Sequence, residues 1–466
     1  MERGFSVNRG ASKKQFPVSS PEARGTGRWM AVINAGIALL CGAAVSAGTW
    51  SVSRKIPLNA NIVRFVPDPQ RPWIYAVDRE NSDVLFVNLD SRKIENRLYV
   101  GKDPTDCDID ATGNVLYVAN KGPGTGVAGS WRIGVIALTN QTLVTSYITA
   151  DLAVNVTAGR SGRLYYNSGF DGDDGRVIDT ESGADLAGFA IVKTRMVITA
   201  DKTRLFGQYI YEGNLGAMGM FDVSSDQITL IDSLHYSPYP YGWDYDNYSL
   251  SGDSKRLGYG KILFNAASLK DQLGLFPEQV YGLNHDGSVA FGETGIWDCT
   301  TFQLHGDARR IAEMPFTTTL MVFDDAAQLL YAYNKGDKSL YVLEQTTRQG
   351  IPFRWLTRYA LPTDDAVEAQ DPDNDGLNTL QEWFLDSDPT RATLGLQLEW
   401  MSDHDLTIPD TSLARLYELE QTDTLGSHVW QRVAQLRGSG AGLVFNLTAD
   451  AMQKPQAFYR AAVRIY

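Results

Sequence analysis

Histidine and cysteine are the scarce residues of this chain, five and three among 466. His235, His285, His305, His404 and His428 are scattered without HxxxH or HxxEH spacing, which excludes the usual sequence-local zinc and iron sites. Positive charge is also in deficit: 42 Lys and Arg stand against 55 Asp and Glu, for a net charge of -13. Such a chain repels nucleic acid and anionic lipid, which leaves neutral glycans, proteins or cations as its expected partners. There is no G-x-S-x-G elbow of the kind that holds a nucleophilic serine. Long apolar runs are missing too, apart from one near the N-terminus.

That run, Trp29 to Val45, follows a basic stretch with Arg3, Arg9, Lys13, Lys14, Arg24 and Arg28, the layout of a secretory signal. Val45-Ser-Ala47 offers small residues to signal peptidase, so cleavage before Gly48 is expected. An uncleaved anchor is the alternative and the one route to a membrane, because the run sits near the lower limit for a span. Cys41 does not make a lipoprotein signal, since Leu39 and Leu40 stand where small residues are needed. Residues 1–47 carry six basic and two acidic side chains, so their loss takes the net charge from -13 to -17. Cys107 and Cys299 then remain; export permits a bridge between them, and two buried thiols are the plainer reading.

The most specific motif is Asp371-Pro-Asp-Asn-Asp-Gly-Leu-Asn-Thr-Leu-Gln-Glu382, which satisfies D-x-[DN]-x-[DN]-G-x5-E at every constrained position. It predicts a Ca²⁺ site with Asp371, Asp373 and Asp375 at loop positions 1, 3 and 5, a turn at Gly376, the Leu377 carbonyl as a neutral ligand, and Glu382 closing the shell. Hard carboxylate oxygens suit this ion, and the competing reading is a solvated acidic linker. A short helix is expected from Leu377 to Leu385, stopped by Ser387-Asp-Pro-Thr390. DPDNDGLNTLQEWFLDSDPT resembles the calcium repeats of the thrombospondin type 3 and dockerin-like class. Those families use such loops in tandem, and the single copy here implies an ion but no docking to a cellulosome.

Between about residues 50 and 355 one phrase recurs: a turn with Asp or Gly, a short strand, a polar turn and a second strand. Seven copies place Tyr75, Tyr117, Tyr165, Phe206, Leu257, Ala290 and Tyr331 at matched positions, 33 to 51 residues apart. The spacing fits four-stranded propeller blades. Alternation in Trp73-Ile-Tyr75-Ala-Val77 and Val84-Leu-Phe86-Val-Asn88 suggests one face packed on a neighbouring blade. The second copy, with Gly101-Lys-Asp-Pro104, then Asp110-Ala-Thr-Gly-Asn-Val-Leu-Tyr-Val-Ala-Asn120, then Val135-Ile-Ala-Leu-Thr139, resembles the YVTN-type propeller repeat of bacterial surface-layer and periplasmic proteins. A lone Trp297-Asp298 makes no WD40 series, and sialidase Asp boxes are missing.

Beyond the acidic loop, Leu396 to Trp400, Ala414 to Glu420, Val429 to Val433 and Phe458 to Val463 alternate apolar and polar residues, the pattern of a small β-sandwich. Their order, YELEQTDTLGSHVWQRVA followed by GLVFNLTAD and QAFYRAAVRIY, looks like the short C-terminal domain of secreted Verrucomicrobia and Planctomycetes proteins. That likeness implies an accessory module without catalytic residues.

The expectation is an all-β protein: a signal at 1–47, a seven-bladed propeller at 48–355, a calcium-clamped helix-loop joint at 356–393 and a sandwich at 394–466. Propellers host many activities, so function must be read from a site. The aromatic segment Tyr236, Tyr239, Tyr241, Trp243 and Tyr245, interrupted by prolines, offers stacking faces for a sugar, against the plainer role of filling space between blades. Asp171-Gly-Asp-Asp-Gly175 is read as a turn rather than a second cation site. No catalytic residue can be assigned. The expected function is a noncatalytic binding module of the cell surface, periplasm or medium, for protein or glycan. The alternative is a propeller hydrolase or lactonase acting on a carbohydrate or ester. Exported material should begin at Gly48 by N-terminal sequencing, and an intact Met1 in a membrane fraction would establish the anchor instead.

Overall fold

The computed structural model describes residues 29–32, 50–122, 131–150, 152–167, 175–191, 195–211, 214–235, 247–300, 308–402, 404–424, 429–447 and 456–465. The chain divides into two compact units, one formed by residues 43–368 and the other by residues 369–466 together with the N-terminal 42.

The larger unit is a succession of antiparallel four-stranded meanders. Among the described residues seven such sheets follow one another: 62–99, 104–148, 155–189, 197–235, 248–275, 280–313, and a last one that joins 321–345 to Trp50–Pro57. The matched positions found in the sequence all fall on the second strand of a sheet, from Tyr75 in Trp73–Asp78 to Tyr331 in Leu329–Asn334. Seven apolar clusters lie between consecutive sheets, and one of them, with Ile56, Phe65, Leu85, Tyr331 and Leu340, joins the last sheet to the first. A succession of sheets that closes on itself through such cores is a β-propeller.

Closure has a hydrogen-bonded seam. Trp50–Pro57 forms the outer strand of the last sheet, pairing with Ser339–Gln345 from Trp50 opposite Gln345 to Pro57 opposite Ser339. The Tyr333 hydroxyl adds a bond to the Ala60 carbonyl across the same junction.

Position within a sheet decides burial. Trp73–Asp78 and Asp83–Asn88 are buried on both faces, whereas the outer strand Lys93–Tyr99 alternates exposed and half-buried residues. The one-faced packing expected from the alternation is corrected here. A middle strand in a ring has a neighbouring sheet on each side, so its second face cannot be left to water. In all seven sheets the pairing of the outermost two strands contains a β-bulge, as at Phe86/Val87 and Ile296/Trp297. Bulges strengthen local twist, which each sheet needs to face both neighbours.

The turn leading into the second strand uses one device repeatedly. Asp110 Oδ1, Thr199 Oγ1, Ser251 Oγ and Asn284 Oδ1 each accept the backbone N–H five residues on, at 2.8 to 3.0 Å. Short polar side chains hold such turns by standing in for a backbone acceptor. In the third sheet this position is Gly159, and a methyl group there would come within 2.3 Å of the Tyr165 ring. Tyr165 is buried in the core between the third and fourth sheets.

The smaller unit contains a sheet in which Gln456–Ile465 lies beside Arg415–Thr422, which pairs in turn with Gln431–Arg437. Trp29–Val32 runs parallel to Gln456–Tyr459 on the opposite edge. A second, three-stranded sheet comprises Glu399–Trp400, Asp405–Ile408 and Leu443–Asn446. Leu406, Phe445, Tyr417, Leu419 and Tyr459 gather residues of both sheets into one core. Its polar counterpart is buried Glu418, which accepts from Arg432 and Arg464 at 2.7 Å and from Gln435 at 2.8 Å. Burial pushes the Glu418 carboxyl up, yet the two guanidiniums prevail and hold it below the usual range.

Gly159→Ala is expected to destabilise the larger unit by about 1–3 kcal/mol, the usual cost of overpacking. Urea unfolding followed by intrinsic fluorescence checks it, and an unchanged midpoint would remove the close approach to Tyr165 as a constraint.

Candidate functional site

Among the described residues, two of the places that combine crowded charge with buried polar atoms lacking partners also offer room or ligands for a site. The first is the acidic loop. Gly376 has φ 98° and Asn374 φ 61°, so the chain doubles back tightly at loop positions 4 and 6. Asp371 accepts from the backbone N–H groups of Asp375 at 3.2 Å and Gly376 at 3.0 Å, and Asp375 accepts from those of Leu377 at 2.8 Å and Thr393 at 2.7 Å. Thr379 ties the exit to the entry, since its N–H at 2.7 Å and its hydroxyl at 3.0 Å both donate to the Gln370 carbonyl.

These bonds bring one oxygen from each of Asp371, Asp373 and Asp375 within 4.8 Å of one another. Glu382 stands outside that group. It is buried on the helix Thr379–Leu385, which starts two residues later than the sequence suggests because Asn378 caps it in a capping box with Gln381. Leu377 occupies the turn between loop and cap. Burial first, then the charges of Asp373 and Asp375, lift the Glu382 carboxyl to about 7. Asp373 is raised as well, through desolvation of its carboxylate and the charges of Asp375 and Asp371. Asp373 Oδ2 and Glu382 Oε2 are shielded from solvent without a hydrogen-bond partner. Crowded hard oxygens with orphaned lone pairs fit a divalent cation.

Arg415 carries this arrangement to the sheet. Buried itself, it donates from Nε to the Phe384 carbonyl at 2.8 Å and from a terminal nitrogen to the Trp383 carbonyl. Those carbonyls belong to the last turn of the helix, where acceptors lack intrahelical donors and a cation is favoured.

The second place is a cavity of about 490 Å³ on the axis of the larger unit. Each of the seven sheets contributes to its wall from its innermost strand or the residues just before it: Arg64, Asp106, Asn155, Arg195, Asn247, Tyr281 and Thr319, with Lys335 from a hairpin of the last sheet. Asp106 is the one carboxylate among the described lining residues. Burial raises it to about 6 against the pull of Arg64. Its Oδ1 faces Arg64 Nε at 3.2 Å, and its Oδ2 accepts the Val156 N–H at 3.0 Å from the next sheet. Arg64 and Asp106 follow β-bulges at the same point of adjacent innermost strands, between Ile62 and Arg64 and between Pro104 and Asp106. Sequence reading missed this cavity because its charges are dispersed over distant repeats. Aligning the first strands of the repeats would have paired Arg64 with Asp106.

Tyr236, Tyr239, Tyr241, Trp243 and Tyr245 lie outside the described residues, as does 171–174 of the acidic turn. Cys107 and Cys299 are free and buried, in the cores between the first and second and between the fifth and sixth sheets.

No family model matches the chain, and no curated protein matches it. Solved structures similar to it include a β-propeller domain from Myceliophteria thermophila, at 12% identity and TM-score 0.49, covering 63% of this chain and 99% of that one. Hydrazine synthase from Kuenenia stuttgartiensis is similar at 14% identity and TM-score 0.46, covering 60% of this chain and 94% of that one.

Proposed function

We propose that the protein is an exported, calcium-bearing, seven-bladed propeller with a C-terminal β-sandwich, acting as a noncatalytic cell-envelope or extracellular binding module for protein or glycan. The blade count is supported by seven four-stranded sheets that alternate with seven apolar cores and all reach one axial cavity. Two sheets sharing the core around Leu406 and Tyr459 support the sandwich.

The observation that carries the functional reading is the wall of the axial cavity. A hydrolase or lactonase working there by acid-base chemistry needs carboxylates or histidines converging on a substrate. The described wall offers a single carboxylate, Asp106, already committed to Arg64 and to the Val156 N–H. What it offers instead is donors: Arg64, Arg195, Lys335 and Asn247. A wall of fixed donors at the meeting point of all the sheets suits holding a ligand. Affinity electrophoresis of the mature chain through gels containing soluble polysaccharides tests this. Retardation without shortening of the polymer is expected, and chain cleavage in the gel would replace the binding reading with the hydrolytic one.

Calcium enters as a structural ion of the smaller unit. Asp371, Asp373, Asp375 and Glu382 would hold it with the Leu377 carbonyl, offsetting the mutual repulsion of the carboxylates. Because Arg415 joins the helix bearing Glu382 to the sheet, order in the loop supports order in the unit. Titration calorimetry on chelator-treated protein should show one Ca²⁺ per chain, weakened at least about tenfold by Asp373→Ala. The ion should also protect residues 371–390 from protease. Equal affinity in the two proteins, or equal cleavage with and without Ca²⁺, would sink the assignment.

A further inference from the structure

In an acidic chain, the described lining of the axial cavity sets three cations around one carboxylate. Arg64 is compensated by Asp106 at 3.2 Å. Arg195 and Lys335 have no acidic partner among the described residues, and Arg195 Nε is shut off from solvent without a hydrogen-bond partner. Arg64 Nε also lacks a well-directed hydrogen bond, despite its neighbouring carboxylate. A shielded guanidinium N–H without an acceptor is costly unless a ligand supplies one. A cavity of about 490 Å³ is also within the range of small-molecule sites.

We propose that the axial cavity binds a small ligand through an oxyanion, a carboxylate or a phosphate, held between Arg195 and Lys335 with Asn247 beside them. This deepens the binding-module reading and rests on it. Arg64 is a positioning residue, pinned by Asp106, while Arg195 and Lys335 supply the charge that the anion neutralises. Guanidinium matches both oxyanions through paired donors, and ammonium matches them as a point charge. For a glycan partner, the group recognised is then an acidic sugar or a phosphate substituent rather than a neutral hexose.

The test uses the full mature chain, its calcium loop saturated, with sodium glucuronate, inorganic phosphate and glucose titrated separately by calorimetry. Glucuronate or phosphate should bind at one site per chain and glucose should not, and the stronger anion identifies the source of the oxyanion. Arg195→Gln and Lys335→Gln should each weaken that anion about tenfold, the loss of one charge-assisted contact. Lys335 is exposed, so its replacement leaves the fold intact, and an unchanged thermal midpoint serves as the check. Binding of neither anion, binding of glucose as tight as that of glucuronate, or unchanged affinity in both variants would overturn the proposal. Release of free glucuronate from a glucuronide or a glucuronate ester under the same conditions would instead defeat the noncatalytic reading and leave the anion site standing.

Discussion

Ring closure is the constraint from which the rest of the larger unit follows. A row of twisted four-stranded sheets has two end faces that must remain apolar and wet, unless the last sheet meets the first. Here the meeting is made with Trp50–Pro57, which completes a sheet whose other strands lie almost three hundred residues later. This long loop is costly in chain entropy, but the cost grows only slowly with length. In return Ile56, Leu58 and Ile62 join Tyr331 and Leu340 in a core that an open row would lack. Middle strands are then buried on both faces, which is why Ile74, Ala76, Leu85 and Val87 are as buried as Tyr75 and Phe86.

Closure also creates the axis, and the axis is a difficult place for backbone. Innermost strands of neighbouring sheets meet there without sharing a hydrogen-bonded ladder, so some of their N–H groups need acceptors from the neighbouring sheet. Asp106 and Asp108 answer this by reaching the N–H groups of Val156 and Ala158 at 3.0 and 2.8 Å, and Thr105 donates to the Val154 carbonyl at 2.7 Å. These carboxylates are structural ties first. Burial raises both, a cost reduced by nearby cations, Arg64 for Asp106 and Lys202 for Asp108. Arg64 is therefore explained by the fold, whereas Arg195 and Lys335 are not. The difference between a cation that a structural carboxylate requires and one without an acidic partner among the described residues separates scaffold from site.

The two kinds of information in the chain were unequally legible. Repeats announce themselves because each blade solves the same problem with the same residues, as the matched positions from Tyr75 to Tyr331 and the polar turn residues Asp110, Thr199, Ser251 and Asn284 show. The acidic loop is equally plain, since its candidate ligands sit within twelve residues. Three of its carboxylates do come together. Glu382 stands outside that trio, on the helix that Asn378 caps, yet near enough for the charges of Asp373 and Asp375 to raise its carboxyl. The axial cavity was illegible for the opposite reason. Arg64, Arg195 and Lys335 come to line one cavity only when the ring closes, and each alone resembles an ordinary surface cation. Cys107 and Cys299 stay apart for the same topological reason, in cores between different pairs of sheets.

Charge at the two sites runs in opposite directions, and their surroundings set what each can do. The acidic loop belongs to a protein of net charge -13, so the general field concentrates cations and assists the local carboxylates. An anion approaching the axial cavity meets a repulsive field at long range and attraction only within reach of Arg195 and Lys335. Salt screens distant charges over about 8–10 Å but affects a half-buried contact much less. Moderate salt therefore removes more of the repulsion than of the local attraction. An anionic ligand with a large neutral body suits such a site, because its bulk avoids the general field while its charged end is held at the axis. A polyanion presents charge to the whole acidic surface and is disfavoured. It is the acidic surface, and not the donors at the axis, that selects against nucleic acid and anionic lipid, which the same cationic side chains on a basic protein would attract.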